Sequence, residues 1–189
     1  MPLSTIMFVG SARSNSHTKV LAEAIKKSLE SRGVSVEIID LFSLQLPPSD
    51  PTFHKDPTIH SNSKVSKLAQ KANTTDSFVF LSPVYHNSYS ALLKNALDNL
   101  AIAQFAGKAV GLASHGGHRT SQVVDHLRIV TRGLNAIAIV SQVCADESDF
   151  AGENETLVLV NDEIFQRIGR FTDELIRVGI ALKQSRVTH

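Results

Sequence analysis

Five short apolar runs, separated by stretches of helical periodicity, leave this chain few folds to choose from. Leu3 to Val9 is the first run and stops at Gly10, after which Val20, Leu21, Ala24, Ile25 and Leu29 recur at helical spacing. Gly33 supplies the residue that ends a helix in the left-handed region, and Val34 to Ile39 reads as a second strand. Ser63 to Ala72 reads as a helix, and Ser77 to Leu81 as a third strand halted at Ser82-Pro83. Ser90 to Leu100 follows as a helix with Leu93, Ala96, Leu97 and Leu100 on one face, then Lys108 to Ala113 as a fourth strand ending at Ser114. Val123, Val124, Leu127, Val130 and Leu134 mark another helix, Ala136 to Val140 a fifth strand, and Ile164 to Leu182 a long amphipathic helix.

Strands that are apolar throughout belong to parallel sheets buried on both faces, and right-handed crossovers place the connecting helices on both sides. The expected fold class is therefore α/β, a three-layer sandwich with a five-stranded parallel sheet in the order 2-1-3-4-5. Ligands bind such sheets beyond the carboxyl ends of the strands, where strand order reverses. That point lies between strands one and three, so the loops after Val9, Leu81 and Ala113 are expected to converge. With 189 residues and no internal repeat, the chain reads as a single domain over 1–189. Ser43 to Ile59 holds four of the six prolines and reads as a long surface loop, a candidate lid or contact arm.

Composition removes several function classes. Nineteen Lys plus Arg against eighteen Asp plus Glu give no field of one sign to draw in nucleic acid or an anionic membrane, so neither is expected as a partner. No segment approaches the roughly 20 apolar residues of a membrane span. The lone Cys144 makes no intrachain disulfide, and the start of the chain lacks the basic and apolar regions of a secretory signal, so a cytoplasmic location is expected.

The chemistry is concentrated in the three converging loops. The first, Gly10-Ser11-Ala12-Arg13-Ser14-Asn15-Ser16-His17-Thr18, offers hydroxyls, a permanent cation and free backbone N–H groups at a helix start. A helix N-terminus favours negative charge, so Ser11, Arg13, Ser16 and Thr18 are assigned to a phosphate dianion. The competing reading makes Ser16 a helix cap and leaves Arg13 in solvent. Neither a GxGxxG fingerprint nor a GxxxxGK[ST] loop is present, so a mononucleotide fits better than a dinucleotide or a triphosphate.

The second loop, Ser82 to Ser90, pairs a proline-stiffened backbone with Tyr85, His86 and Tyr89, and Pro83, Val84, Tyr85 and His86 suit contacts along a flat ring and its linker. The third, Ser114-His115-Gly116-Gly117-His118-Arg119, has two glycines where side chains would hold a planar ligand off the backbone. His115 or His118 would hydrogen-bond the electron-rich edge of such a ring, against the plainer reading of both as exposed loop residues. His54, His60, Glu147, Asp149 and Glu153 lie in polar irregular stretches, where a place at the mouth of the site competes with the favoured reading of each as a solvated loop residue.

Taken together, GSARSNSHT, SPVYHNSYSALLKNALD and ASHGGH resemble the NADPH-dependent FMN reductase family, which includes sulfonate-linked FMN reductases and azo-, chromate- and quinone-type reductases. The likeness spans roughly residues 3 to 145. It implies a flavodoxin-like fold, FMN as cofactor, NADPH or NADH as electron donor, a small-molecule acceptor such as free flavin, a quinone, an azo compound or a metal oxyanion, and a homodimer or homotetramer. By matching position it implies the phosphate on Ser11, Arg13, Ser16 and Thr18, the isoalloxazine and ribityl on Pro83, Val84, Tyr85 and His86, and the ring against Ser114, Gly116 and Gly117. No acid or base residue is named, because the cofactor carries the chemistry. Members that release reduced flavin tend to carry an inserted residue, often Tyr, in the helix after the glycine pair. His118 to Thr131 contains no Tyr, which favours FMN held as a prosthetic group. The rival function is a non-enzymatic flavin electron carrier, against which stand Arg13 and a net charge of +1.

Overall fold

Successive side chains of β1 (Ser4–Val9) point to opposite sides of a sheet, and both sides are dry. Met7 and Val9 enter one core while Ile6 and Phe8 enter the other. The computed structural model describes residues 2–187. After β1 come α1 (His17–Glu30), β2 (Ser35–Asp40), α2 (Leu41–Leu44), α3 (Ser63–Thr74), β3 (Ser77–Pro83), α4 (Ala91–Asp98) and α5 (Ile102–Phe105). The chain continues through β4 (Ala109–His115), α6 (Gln122–Gly133), β5 (Ile137–Ala145), the short antiparallel pair β6 (Phe150–Ala151) and β7 (Val158–Leu159), and α7 (Asp162–Val187). β1 to β5 form one parallel sheet in the order β2-β1-β3-β4-β5, as the alternation predicts.

Side-chain spacing decides what covers each face. Leu21, Ala22, Ile25 and Leu29 of α1 pack with Ile164, Ile168, Phe171 and Leu175 of α7 against Met7, Val79 and Ala113. On the other side, Leu68 of α3, Leu93 and Leu97 of α4 and Leu127 of α6 close over Phe8, Phe78, Phe80 and Phe105. Each such fully buried apolar side chain contributes about 1.5–3 kcal/mol of transfer free energy. Gly111 in mid-strand is required by this packing, since a Cβ there would lie 2.3 Å from Cζ of Phe171. Gly33 does what the sequence predicts: at φ +81 it ends α1, with its N–H bonded to the Glu30 carbonyl and that of Val34 to the Leu29 carbonyl.

Three strands run past their apolar stretches. β3 reaches Pro83, β4 His115 and β5 Ala145, because ladder pairing continues beneath Ser82, Ser114 and Cys144. In β5 the register slips opposite Val110 and Leu112, and the bulge explains why alternation fails after Val140. Its edge is blunted there by charge: the Glu174 carboxylate accepts from the N–H groups of Val140 and Ser141, and Arg128 donates to the carbonyls of Ile139 and Val140. The proline-rich segment is not loose; it forms 3₁₀ turns at Pro51–Phe53 and Pro57–Ile59, and Asn95 and Asn99 of α4 both donate to the Pro47 carbonyl at 2.9 Å. Among the described residues no helix is long and apolar enough to cross a membrane.

Candidate functional site

The loops after β1, β3 and β4 meet where the order of the sheet reverses. They enclose a cleft of about 160 Å3 lined by Ser11, Arg13, Ser16, Thr18, Pro83, Val84, Tyr85, His115, Gly116 and Gly117, joined by His17 and Glu147. Ten of the residues singled out from sequence are thus brought together.

The first loop presents its hydroxyls from a rigid base. Ser11, Ser16 and Thr18 are each at most 5% exposed. Ser16 caps α1, its Oγ accepting from the Lys19 N–H at 3.1 Å, so the cap reading and the site reading describe the same residue. Arg13 is exposed, and its guanidinium has no carboxylate partner among the described residues. Anion-binding groups are therefore assembled at a helix start without a resident counter-charge.

The second loop is a strained turn. Tyr85 and Ser88 exchange both N–H···O bonds at 2.9 Å, which forces His86 and Asn87 to φ 48 and 62. Two consecutive left-handed non-glycine residues are costly and persist where a loop is held for a purpose. Tyr85 is 42% exposed and lines the cleft, whereas His86 is exposed and is not among the lining residues. Ser82 and Ser90 brace the turn from below: Ser82 Oγ accepts from the Ser90 N–H at 2.8 Å, and Ser90 Oγ caps α4. The serines and Asn95 of the SPVYHNSYSALLKNALD segment, with Asn99 just after it, thus shape and anchor the loop.

In the third loop, the His115 carbonyl accepts from Val84 N–H at 2.8 Å and the Gly116 N–H donates to the Ala145 carbonyl at 3.1 Å. A Cβ on Gly116 would lie 2.6 Å from Cγ2 of Val84, so Gly116 is where the two loops touch. A Cβ on Gly117 would meet nothing within 4 Å, because that residue faces open space in the cleft. Ser114 does not reach the cleft; it is 1% exposed within β4, paired with Ser82 and Cys144 on either side. His118 is exposed and also lies outside the lining.

One lining residue, His17, escapes the sequence analysis, and a second, Glu147, takes the less favoured of its two readings. His17 occupies the first turn of α1 and stacks face to face on His115, ring centroids 4.5 Å apart and planes 3° from parallel. Glu147 enters from the segment after β5. Asp149 reads as a solvated loop residue but is fully buried, accepting from the Asp146 N–H, Asn161 Nδ2 and Arg119. His115 is held neutral, its pKa pushed down to about 4 by burial and then by the neighbouring His17.

These features pass the test for a phosphorylated planar cofactor: buried hydroxyls and an unpaired guanidinium at one end, an open glycine and an exposed tyrosine at the other. The cleft is smaller than the roughly 300–1,000 Å3 of closed ligand pockets, so a ring lying past Gly117 would keep one face uncovered. A larger groove of about 700 Å3 runs along α1 beside Leu157, Phe165 and Ile168. Its Lys19 and Arg32 are already paired with Asp40 and Asp173, and none of the three loops contributes to it.

The family model for NADPH-dependent FMN reductase matches residues 3–149. This chain belongs to that family. It is 36% identical over 173 residues to an FMN-dependent NADPH-azoreductase of Staphylococcus saprophyticus, a match covering 90% of this chain and 92% of the relative. Among solved structures it is similar to FerB, a flavoenzyme NAD(P)H:(acceptor) oxidoreductase from Paracoccus denitrificans, with TM-score 0.77, 15% identity and coverage of 95% and 98% of the two chains. A short-chain flavodoxin superposes with TM-score 0.63 at 14% identity, covering 95% of this chain and 99% of that one. The family member described here therefore has the flavodoxin-like fold that its strand order implies.

Proposed function

We propose that this chain is an FMN-dependent oxidoreductase that takes electrons from NADPH or NADH and passes them to a small-molecule acceptor. The observation that carries the reading is the pairing, across one cleft, of the unpartnered Arg13 and buried hydroxyls with the open backbone at Gly117. When bound, FMN would accept hydride from the nicotinamide and deliver electrons to the acceptor. Ser11, Ser16 and Thr18 would donate hydrogen bonds to the phosphate, with Arg13 supplying its counter-charge. Pro83, Val84 and Tyr85 would line the ring and ribityl chain, Gly116 would fix the spacing of the two loops, and Gly117 would let the ring approach the backbone. His86, Ser114 and His118, expected in these roles from sequence, stand outside the lining and are assigned none of them.

The uncovered side of the cleft supports donor and acceptor taking turns at one face, and so ping-pong kinetics. The azoreductase relative makes azo compounds the first acceptors to test, with quinones, metal oxyanions and free flavin beside them. α6 is a regular α-helix from Gln122 to Gly133, which supports FMN held as a prosthetic group. We read residues 1–189 as one cytoplasmic FMN-binding domain, and a homodimer or homotetramer, paired through the helices beginning near Ser90 and His118, would complete the walls of the cleft while leaving its mouth open to donor and acceptor. Purified protein should titrate with FMN to one equivalent and bleach anaerobically with NADPH. A protein that takes up no FMN overturns the reading, and one that binds FMN without bleaching is a carrier instead.

A further inference from the structure

The stacked imidazoles of His17 and His115 lie in the cleft with more structure around them than a pair of packing residues needs. Both rings stand edge-on to Phe150, at 85° and 82°, so the apolar ring grips the stack from the side. Nε2 of His115 is buried and has no hydrogen-bond partner among the described residues. An orphaned polar atom of this kind costs about 1–3 kcal/mol and calls for a reason. The pair also joins two loops of the site, since His17 opens α1 immediately after the Ser16 cap and His115 ends β4 immediately before the glycines.

We propose that His17 and His115 are the charge-compensating half of the phosphate site: seating a phosphomonoester dianion on Ser11, Arg13, Ser16 and Thr18 draws one proton onto the stacked pair. The bound phosphate can bring no more than one proton onto the pair, because two charged imidazoles face to face repel. The surroundings set when that proton arrives. From the loop after β1, Arg13 opposes it; from the segment after β5, Asp146 and Asp149 favour it, and Glu147 lines the same cleft. Arg119 from the third loop offsets the two aspartates through its ion pairs with them. Burial, and then the His17 ring, hold His115 neutral in the free protein, with Arg13 adding a smaller opposition. A dianion beside Arg13 cancels that cation's influence and adds its own negative charge, so the balance tips toward protonation. Proton uptake and phosphate binding are then reciprocal, and the protein holds the phosphorylated cofactor more tightly as pH falls.

The inference rests on FMN being the cofactor, and the test separates the two. FMN binding is measured by titration calorimetry between pH 5 and 7 in buffers of different ionisation heat, on wild type, on His17→Phe, and on a His17→Phe/His115→Phe variant that keeps aromatic rings against Phe150. The phosphate's own ionisation is common to all three and cancels in the comparison. Wild type should take up about half to one proton more per FMN than the double variant, and its affinity should gain about three- to tenfold per pH unit relative to that variant. A His17→Gln/His115→Gln variant carries the same comparison if the Phe pair does not fold, and His17→Phe shows whether His115 alone takes the proton. Equal proton counts in proteins that all bind FMN overturn the proposal and leave the cofactor reading standing. Wild type that binds no FMN at any pH overturns both.

Discussion

Arg119, two residues past the paired glycines, donates from Nε and Nη2 to the carboxylate of Asp149, whose side chain is fully buried. The third loop is thereby fastened on its descending limb to the segment after β5, while the Gly116–Ala145 bond fastens its ascending limb. Removing the guanidinium would strand a buried carboxylate, a loss of about 3–5 kcal/mol for a fully enclosed pair. Arg119 is 35% exposed, so Arg119→Leu should cost less, about 2 kcal/mol, read from the urea midpoint. FMN affinity should fall with it. An unchanged midpoint would show that solvent replaces Arg119 at no cost.

The two glycines should part company under the same substitution. Gly117→Ala adds a methyl to open space, so stability should stay within about 0.5 kcal/mol while FMN binding weakens at least tenfold. Gly116→Ala must push Val84 aside and separate the second and third loops, costing about 1–3 kcal/mol of stability as well as affinity. Full retention of FMN by Gly117→Ala, measured by flavin fluorescence quenching, would remove the ring from that side of the cleft.

Much of this was legible before any coordinates. Hydrophobic periodicity is a local signal, so the strands, the helix faces and the strand order could be read from Leu3, Val79, Leu93 or Ile164 and their neighbours. That Ser11, Arg13, Ser16 and Thr18 line the cleft could be read because they follow the first strand directly in the chain. What escaped depends on contacts between distant segments. Ser114 looks like a loop residue until Ser82 and Cys144 pair with it, and Asp149 looks solvated until Arg119 and Asn161 reach it. His17 carries no signal of its own; its place follows only from His115 arriving beside it. His86 was expected along the ring and is not among the lining residues; the two-residue turn at φ 48 and 62 that holds it leaves no periodic signal in the sequence.

That turn makes a prediction of its own. A left-handed residue with a Cβ costs about 1–2 kcal/mol, part of which glycine gives back in the entropy of the unfolded chain. His86→Gly should therefore stabilise the protein by about 0.5–1 kcal/mol, seen as a higher midpoint in thermal denaturation. Because His86 is exposed and is not among the residues lining the cleft, FMN affinity should not change. A tenfold loss of affinity would restore His86 to the site.

The last prediction concerns the opposite end of the sheet. Lys108, at the start of β4, is buried, and its Nζ donates to the carbonyls of Ala72 and Asn73 at the end of α3, 2.7 and 3.1 Å away. Burial, and then the Arg186 guanidinium, push its pKa down from 10.5 to about 8, outweighing Asp76. The folded protein thus binds this proton less tightly than the unfolded chain does. Between about pH 8 and pH 10.5 the unfolded state holds more protons, so this residue makes stability rise with pH across that window. Its contribution is complete above 10.5 and is lost as pH falls through 8. Lys108→Met should abolish that rise while keeping the aliphatic stem packed near Phe78, and denaturant midpoints at pH 7.5, 8.5 and 9.5 in both proteins would show it. If the two proteins follow the same pH curve, the ammonium is as well accommodated at its carbonyl cap as in water, and the burial penalty assigned to it is wrong.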